Sequence, residues 1–220
     1  MNILVIGAGG VGASMASIAE TRSFFTQFVL ADISLSRAEE AIAQLDDRSK
    51  FVAEQVDARD TTAIKALIER VKADVVVNAC DPRMNEPIFN AAFEAHCNYI
   101  DMAMNLSEPH ASNPYEEVGS PLGADQLAAD QAWRDRGLLA LVGMGVEPGL
   151  SDVFARYAAD NLFDTIDEIG VRDGSNLSID GLDFAPTFSI WTTIEECLNP
   201  PIVWEKNRGL YTTDCFSEPE

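Results

Sequence analysis

The chain contains 220 residues, of which 47% are hydrophobic, so it has enough apolar side chains to bury a substantial core. Its formal net charge of −21 disfavours nucleic acid and anionic membranes as partners, because each contact would begin with electrostatic repulsion. The four cysteines lie far apart and have no nearby histidines at ligand spacing, which argues against a metal site and a disulfide scaffold.

Met1 leads directly into an apolar run, with no basic segment or cleavage site before it, so we expect a cytoplasmic protein. Short apolar runs then alternate with longer amphipathic ones. The apolar runs predict buried strands over 2–7, 27–32, 51–58, 73–80, 98–103 and 138–143. Strands of this kind that alternate with helices predict an α/β fold with a doubly wound parallel sheet of Rossmann type. We expect this domain to cover residues 1–150.

The last quarter of the chain has a different pattern. Residues 165–174, 187–191 and 201–216 predict antiparallel strands and hairpins, with Trp191 and Trp204 as core aromatics. This pattern fits antiparallel sheet rather than further strand–helix units.

The first turn carries Gly7-Ala8-Gly9-Gly10-Val11-Gly12 between a strand and a helix. Glycines at this spacing permit a tight turn, close approach of a diphosphate to the backbone, and packing of the helix on the strand. We therefore assign cofactor binding to Gly7, Gly9, Gly10, Val11 and Gly12.

Asp32 ends the second strand, 20 residues beyond Gly12. A carboxylate at this position can accept hydrogen bonds from the ribose hydroxyls and would repel a 2′-phosphate, which favours NAD over NADP. Ile33, Ser34 and Arg37 belong to the same predicted site. NADP stays open as an alternative, because Ser34, Ser36 and Arg37 could meet a phosphate if Asp32 turned away.

Other candidate residues follow later strands, where ligands gather at the carboxyl edge of such a sheet. Asp57 and Ala58 are expected on the adenine side, and Asn78, Ala79 and Cys80 beneath the nicotinamide half. Asp101 is expected to point toward the reacting centre. Helix capping or turn formation is the alternative for both aspartates, and a small buried apolar role is the alternative for Cys80.

The stretch GMGVEPGLSD, residues 143–152, follows the sixth strand. Its glycines would let the backbone approach a bound nicotinamide or amino acid closely, and Ser151 or Asp152 would cap the next helix. A plain glycine-rich turn is the alternative.

The segments MNILVIGAGGVG, VDARD, VVVNAC, CNYIDMA and GMGVEPGLSD occur in this order along the chain. Together they resemble the saccharopine dehydrogenase family of NAD(P)-dependent oxidoreductases. The resemblance implies hydride transfer between the coenzyme and a carbon bearing an amine, with an amino acid or polyamine as the small-molecule substrate. It suggests Asp101, Glu147 and Cys80 as candidate catalytic residues that could handle a proton, and Glu147 as a candidate for binding a substrate ammonium group.

Two other functions stay open. One is a nucleotide-binding module without activity of its own. The other is a different Rossmann enzyme, such as a semialdehyde dehydrogenase, which would need an essential thiol. The resemblance also implies that residues 151–220 begin an α+β substrate or dimerisation domain and that the protein is a homodimer. It implies that this domain continues past residue 220, because a sheet ending there would expose unpaired edges.

Overall fold

The computed structural model describes residues 1–172, 178–183 and 190–217, without the side chains of residues 192 and 196. Six of its strands are β1 (Asn2–Ile6), β2 (Gln27–Asp32), β3 (Phe51–Gln55), β4 (Val75–Asn78), β5 (Asn98–Asp101) and β6 (Ala140–Leu141). They form one parallel sheet in the order β3-β2-β1-β4-β5-β6. The predicted doubly wound sheet is therefore confirmed.

The helices that follow these strands are α1 (Gly10–Glu20), α2 (Leu35–Ala43), α3 (Thr61–Val71), α4 (Asn85–Glu94), α5 (Ala124–Ala128), α6 (Asp130–Asp135) and α7 (Leu150–Asn161). A short 3₁₀ helix, Pro82–Met84, precedes α4. The sequence predicts one helix over 124–137, whereas the structure has two, because the chain turns at Ala129. The N–H of Ala129 is shared between the carbonyls of Asp125 and Gln126, each at 3.2 Å.

The central strand is buried on both faces, as its continuous apolar sequence predicts. Leu4 and Ile6 point into a core formed with α3, α4 and Trp133 of α6. Ile3 and Val5 point into a second core, which α1 and α2 cover from the opposite side of the sheet. Because both faces are covered, the loops at the carboxyl ends of the strands form the accessible edge of the sheet.

The direction of strand addition reverses beside β1, which pairs with β2 on one side and with β4 on the other. Ligands of open α/β sheets bind outside the carboxyl ends of the strands at such a reversal. This position coincides with the glycine-rich turn between β1 and α1.

The sixth strand is much shorter than the predicted 138–143. At its start, the N–H of Leu139 donates to the side chain of Asn98 at 3.0 Å instead of joining the ladder. At its end, Gly143 has a φ of +69°, which lies outside the range of a strand. Both interruptions come from local geometry that an apolar run does not reveal.

The chain separates into two compact units. Unit 1 comprises Met1–Asn105 and Asp125–Arg156, and unit 2 comprises Leu106–Ala124 and Tyr157–Glu220. The sheet and all its strands lie in unit 1. No helix in the described residues is both long enough and apolar enough to cross a membrane.

Unit 2 contains α8 (Ile190–Leu198) and an antiparallel hairpin of β7 (Ile202–Glu205) and β8 (Gly209–Thr212). The hairpin predicted within 201–216 is confirmed. The other two strand predictions are wrong where they can be compared: residues 165–172 form no strand, and Ile190 and Trp191 lie in a helix. Residues 173–174 and 187–189 of those predictions lie outside the described residues.

Trp191 and Trp204 are exposed at 63% and 65%, so the prediction that they are core aromatics is also wrong. Trp204 lies on a sheet of only two strands, and a sheet this small cannot bury a large side chain by itself. Trp191 is the second residue of α8.

Candidate functional site

The two ends of the glycine-rich turn, Gly7 and Gly12, leave no room for a side chain. Gly7 has a φ of +109°, and a side chain there would also meet the Ala79 carbonyl oxygen at 2.7 Å. A β-carbon on Gly12 would overlap the carbonyl oxygen of Gly7. These two positions therefore require glycine because neighbouring backbone occupies the space.

The middle of the same turn is open. Gly9 and Gly10 are exposed, and a β-carbon on either would have no heavy atom within 4 Å. The first helical hydrogen bond of α1 runs from the N–H of Ala13 to the carbonyl of Gly9 at 2.9 Å. The N–H groups of Gly10, Val11 and Gly12 precede that bond, so the positive end of the helix faces an accessible space. The arrangement fits a bound diphosphate.

Asp32, the last residue of β2, is hydrogen-bonded to the backbone of this turn. It is only 7% exposed, and its two carboxylate oxygens accept hydrogen bonds from the N–H groups of Ala8 and Ser34, both at 2.9 Å. The guanidinium of Arg37 lies 3.7 Å from the same carboxylate. The carboxylate of Asp32 is therefore turned inward and bonded to the backbone of the chain. This is the orientation under which the sequence left NADP open as an alternative.

The residues after Asp32 form a small polar surface at the start of α2. The hydroxyls of Ser34 and Ser36 are 2.9 Å apart, and Ser34 accepts a hydrogen bond from the N–H of Arg37 at 3.4 Å. The Arg37 side chain is 60% exposed, and Ile33 beside it is 54% exposed. Two hydroxyls, a guanidinium and a helix N-terminus together suit a phosphate group.

Asp57 is paired within its own loop. Its carboxylate accepts two hydrogen bonds from the Arg59 guanidinium, at 2.9 and 2.7 Å, and one from the Arg59 N–H at 3.0 Å. These bonds lower the pKa of Asp57 to about 2. Ala58, next in the chain, packs against the core. The geometry matches the turn-forming alternative for Asp57.

The end of β4 lies against the glycine-rich turn. The N–H of Ala79 donates to Ile6 at 2.8 Å, and the thiol of Cys80 lies 3.3 Å from the same carbonyl oxygen. Burial, followed by the charges of Asp32 and Asp81, raises the pKa of Cys80 to about 12. Cys80 is therefore a protonated thiol near neutral pH, which argues against a nucleophilic role.

Asn78 begins a buried chain of amide hydrogen bonds. Its carbonyl oxygen accepts from the N–H of Cys80 at 2.9 Å, and its amino group donates to Asn85 at 2.7 Å. Asn85 in turn donates to the carbonyl of Ala103 at 2.7 Å. Asn78 and Asn85 are each 1% exposed, so these bonds satisfy groups that water cannot reach.

Asp101 is also buried, at 1% exposure. Its carboxylate accepts from the N–H of Gly143 and from the amide of Gln126, both at 2.7 Å, and from the hydroxyl of Tyr99. Burial raises the pKa of Asp101, and these three bonds oppose the rise. The carboxylate is directed into the protein, and the Gly143 and Gln126 groups that it contacts lie 42 and 25 residues away along the chain, so these contacts are neither a helix cap nor a local turn.

Gln126 contacts the predicted site residue Asp101, and the sequence did not suggest it. It is 6% exposed and lies seven residues before Trp133, which is 3% exposed and helps to form the core. A polar residue at this spacing from a core tryptophan, on what reads as one helix, is the signal that could have identified it.

We call residues 102–105 the β5 loop and residues 143–149 the β6 turn. The two lie backbone against backbone. A β-carbon on Gly145 would overlap the carbonyl oxygen of Met102, and one on Gly143 would lie 3.0 Å from the Met104 side chain. The N–H of Met144 also donates to the carbonyl of Asp101 at 2.9 Å.

Glu147 is exposed in the β6 turn. The following helix, α7, starts at Leu150, and Asp152 accepts a hydrogen bond from the N–H of Gly149 at 2.9 Å. Ser151 and Asp152 therefore lie within the helix, so the prediction that one of them precedes it as the cap is wrong, and Asp152 instead contacts the residue before the helix from within its first turn. The Ser151 hydroxyl is buried and has no hydrogen-bond partner among the described residues.

Comparison with known proteins agrees with this geometry. Residues 3–141 match the family described as the saccharopine dehydrogenase NADP binding domain. The fold is similar to that of the L-Glu-forming saccharopine dehydrogenase of Saccharomyces cerevisiae, with a TM-score of 0.55. That similarity covers 73% of this chain and 31% of the yeast chain at 14% identity, so it concerns the fold alone.

Relatives with curated names have higher sequence identity to this chain than the yeast enzyme has. The chain is 33% identical over 213 residues to the carboxynorspermidine synthase of Vibrio cholerae, covering 93% of this chain and 50% of the relative. It is 28% identical over 194 residues to the carboxyaminopropylagmatine dehydrogenase of Synechocystis, covering 88% of this chain and 46% of the relative. The chain thus spans about half the length of these relatives. With a family match that extends over most of its sheet, the chain belongs to the saccharopine dehydrogenase family and has a fold for binding a nicotinamide dinucleotide.

Proposed function

We propose that this chain is the coenzyme-binding part of an oxidoreductase that acts at a carbon bearing an amine. The observation that carries the proposal is the open glycine-rich turn, where the N–H groups of Gly10, Val11 and Gly12 face accessible space at the reversal of the sheet. These groups would hold the diphosphate of the coenzyme. When bound, the coenzyme supplies or accepts the hydride.

We further propose NADP as the coenzyme, in place of the NAD that Asp32 alone predicts. The Asp32 carboxylate is 7% exposed, it accepts from the N–H groups of Ala8 and Ser34, and the Arg37 guanidinium lies 3.7 Å away, so these donors offset its repulsion of a 2′-phosphate. Ser34, Ser36 and the exposed guanidinium of Arg37 supply donors at the same edge. The family description also names NADP.

The remaining predicted residues keep supporting roles in the proposal. Asp57, held by Arg59, and Ala58 would border the adenine, while Asn78, Ala79 and Cys80 would border the nicotinamide half. Ile33, exposed beside Arg37, would border the adenosine.

Of the three proposed catalytic residues, we favour Glu147. It is exposed, and it lies in the β6 turn at the carboxyl edge of the sheet. Asp101 is bonded on both oxygens and buried, and the pKa of Cys80 is raised to about 12 by burial. An accessible carboxylate can bind an ammonium group or accept a proton, whereas the other two groups support the backbone around them.

The names of the relatives guide the choice of substrate. Carboxynorspermidine and carboxyaminopropylagmatine are carboxylated polyamine-type compounds, so we propose a substrate that combines amines with a carboxylate. We also retain a coenzyme domain over 1–150, a substrate or dimerisation segment over 151–220, a homodimer and a cytoplasmic location as proposals.

The test of the coenzyme assignment is a calorimetric titration with NADP⁺ and NAD⁺. We expect Arg37→Gln to weaken NADP⁺ binding about tenfold, as for the loss of one charge-assisted hydrogen bond, and to leave NAD⁺ binding unchanged. NAD⁺ serves as the internal control, because it lacks the 2′-phosphate. Equal losses for the two coenzymes would contradict the assignment of Arg37.

Turnover is then followed at 340 nm with carboxynorspermidine, saccharopine and lysine. Activity with the first compound supports the proposed reaction. NADP⁺ binding without turnover across the panel would favour a binding module without activity of its own.

A further inference from the structure

The β5 loop is held at two points by buried amides from different helices. Asn85 of α4 donates to the carbonyl of Ala103 at 2.7 Å, and Gln126 of α5 accepts from the N–H of Asn105 at 2.8 Å. Residues 102–105 form neither helix nor strand, so these side-chain bonds contribute to fixing the path of the loop.

Gln126 makes a second bond that connects the loop to the neighbouring turn. Its amino group donates to one oxygen of Asp101 at 2.7 Å, and the other oxygen of Asp101 accepts from the N–H of Gly143 at 2.7 Å. One buried amide therefore joins Asn105, the last residue of the β5 loop, to Asp101, the residue before the loop. Through Asp101 it also joins the loop to the β6 turn.

Glutamine suits this position chemically. Its carbonyl oxygen must face the N–H of Asn105, and its amino group must face the carboxylate of Asp101, so the partners determine the orientation of the amide. A methionine could make neither bond, and an ionised glutamate could not donate to Asp101. At 6% exposure, water cannot readily replace a lost partner.

These contacts lie at the carboxyl ends of β5 and β6, on the side of the sheet that holds β4. Under the proposed function, that side receives the nicotinamide half of the coenzyme, while β2 and β3 receive the adenosine half. We propose that Gln126 is a positioning residue that sets the β5 loop and the β6 turn against the nicotinamide ring. The inference rests on the proposed coenzyme site.

Binding of a whole and a half coenzyme tests this role. NADP⁺ carries both halves, whereas adenosine 2′,5′-bisphosphate carries only the adenosine half. For Gln126→Met we expect NADP⁺ affinity to fall about tenfold and bisphosphate affinity to stay within about twofold of the wild type. A role in general stability would not produce that difference between the two ligands.

Gln131 provides the matched control. It donates to Asp135 at 2.7 Å, the same chemical pair at the same distance as Gln126 and Asp101, but it is exposed. Gln131→Met is expected to leave the affinities for both ligands unchanged.

Gln126→Glu gives a second measurement that does not depend on the methionine variant folding. When protonated, a glutamate at this position can donate to Asp101 and accept from Asn105, and when ionised it faces a second carboxylate. The other titratable groups of this cluster are Tyr99, whose pKa burial raises, and Cys80, whose pKa burial raises to about 12, so both stay protonated at neutral pH. We expect the NADP⁺ affinity of this variant, relative to the wild type, to be lower at about pH 8 than at about pH 5.5.

The inference is overturned if Gln126→Met binds NADP⁺ as the wild type does, if both ligands lose affinity equally, or if the relative affinity of Gln126→Glu does not change with pH. A wild-type chain that binds neither ligand would instead contradict the proposed coenzyme site, and this inference with it.

Discussion

Gly9 and Gly12 lie three residues apart in one turn, but different forces require them. Gly12 is needed by the free protein, because a side chain there would overlap the backbone at Gly7. Gly9 has a φ of −74° and a ψ of −165°, which any residue can adopt, and open space surrounds it. We therefore infer that glycine is needed at this position for the bound coenzyme, whose diphosphate would occupy that space.

Alanine at each position should separate these two requirements. Gly12→Ala is expected to lower the free energy of unfolding by about 1–3 kcal/mol, as for overpacking of a core. Gly9→Ala is expected to leave the melting temperature of the free protein unchanged or slightly raised, and to weaken NADP⁺ binding about tenfold or more. Thermal denaturation and calorimetry measure the two effects. Full NADP⁺ affinity in Gly9→Ala would contradict the assignment of this turn.

The sequence predicts the strand ends at which these residues lie better than it predicts what their side chains contact. Asp32 lies at the predicted strand end, but its carboxylate bonds to Ala8 and Ser34, because the turn brings backbone N–H groups to it. Asp101 is likewise at the predicted edge and bonds inward to Gly143. Gln126 escapes prediction, because the donors and acceptors that explain it are 21 and 25 residues away.

At the scale of elements, α2 and α3 start with similar side-chain caps, but we assign different roles to the two caps. Asp60 accepts a hydrogen bond from the N–H of Ala63 at 2.9 Å and so caps α3. Ser34 caps α2 with a longer bond of 3.4 Å, and it also belongs to the proposed phosphate surface. We expect the first cap to contribute mainly to stability and the second mainly to coenzyme choice.

Alanine variants of both caps test this division. Asp60→Ala is expected to cost about 1 kcal/mol of unfolding free energy, the usual contribution of an N-cap, and to leave NADP⁺ affinity within about twofold. Ser34→Ala is expected to cost less stability but to weaken NADP⁺ binding several-fold, with NAD⁺ binding unchanged. A loss of NADP⁺ affinity confined to Asp60→Ala would reverse the assignment.

The strands and helices of the sheet follow from the sequence because local and tertiary signals agree there. β1 to β5 all lie within the predicted runs, since continuous apolar strands need cover on both faces. Agreement fails in β6, where Gly143 and the Asn98 side chain end the pairing, and at Ile190 and Trp191, where an apolar run forms a helix. Short apolar runs alone do not distinguish strand from helix.

At the scale of the whole molecule, a net charge of −21 opposes the approach of a phosphate-rich coenzyme. Local groups must therefore outweigh the overall charge. The start of α1 and the surface of Ser34, Ser36 and Arg37 are the groups in unit 1 that we assign to this task.

A crystal structure of the chain with NADP⁺ tests the account most directly. We expect the diphosphate to accept hydrogen bonds from the N–H groups at the start of α1, with the 2′-phosphate beside Arg37 and the nicotinamide near the β5 loop and the β6 turn. Coenzyme density at any other edge of the sheet, or a diphosphate remote from Gly9, would contradict it.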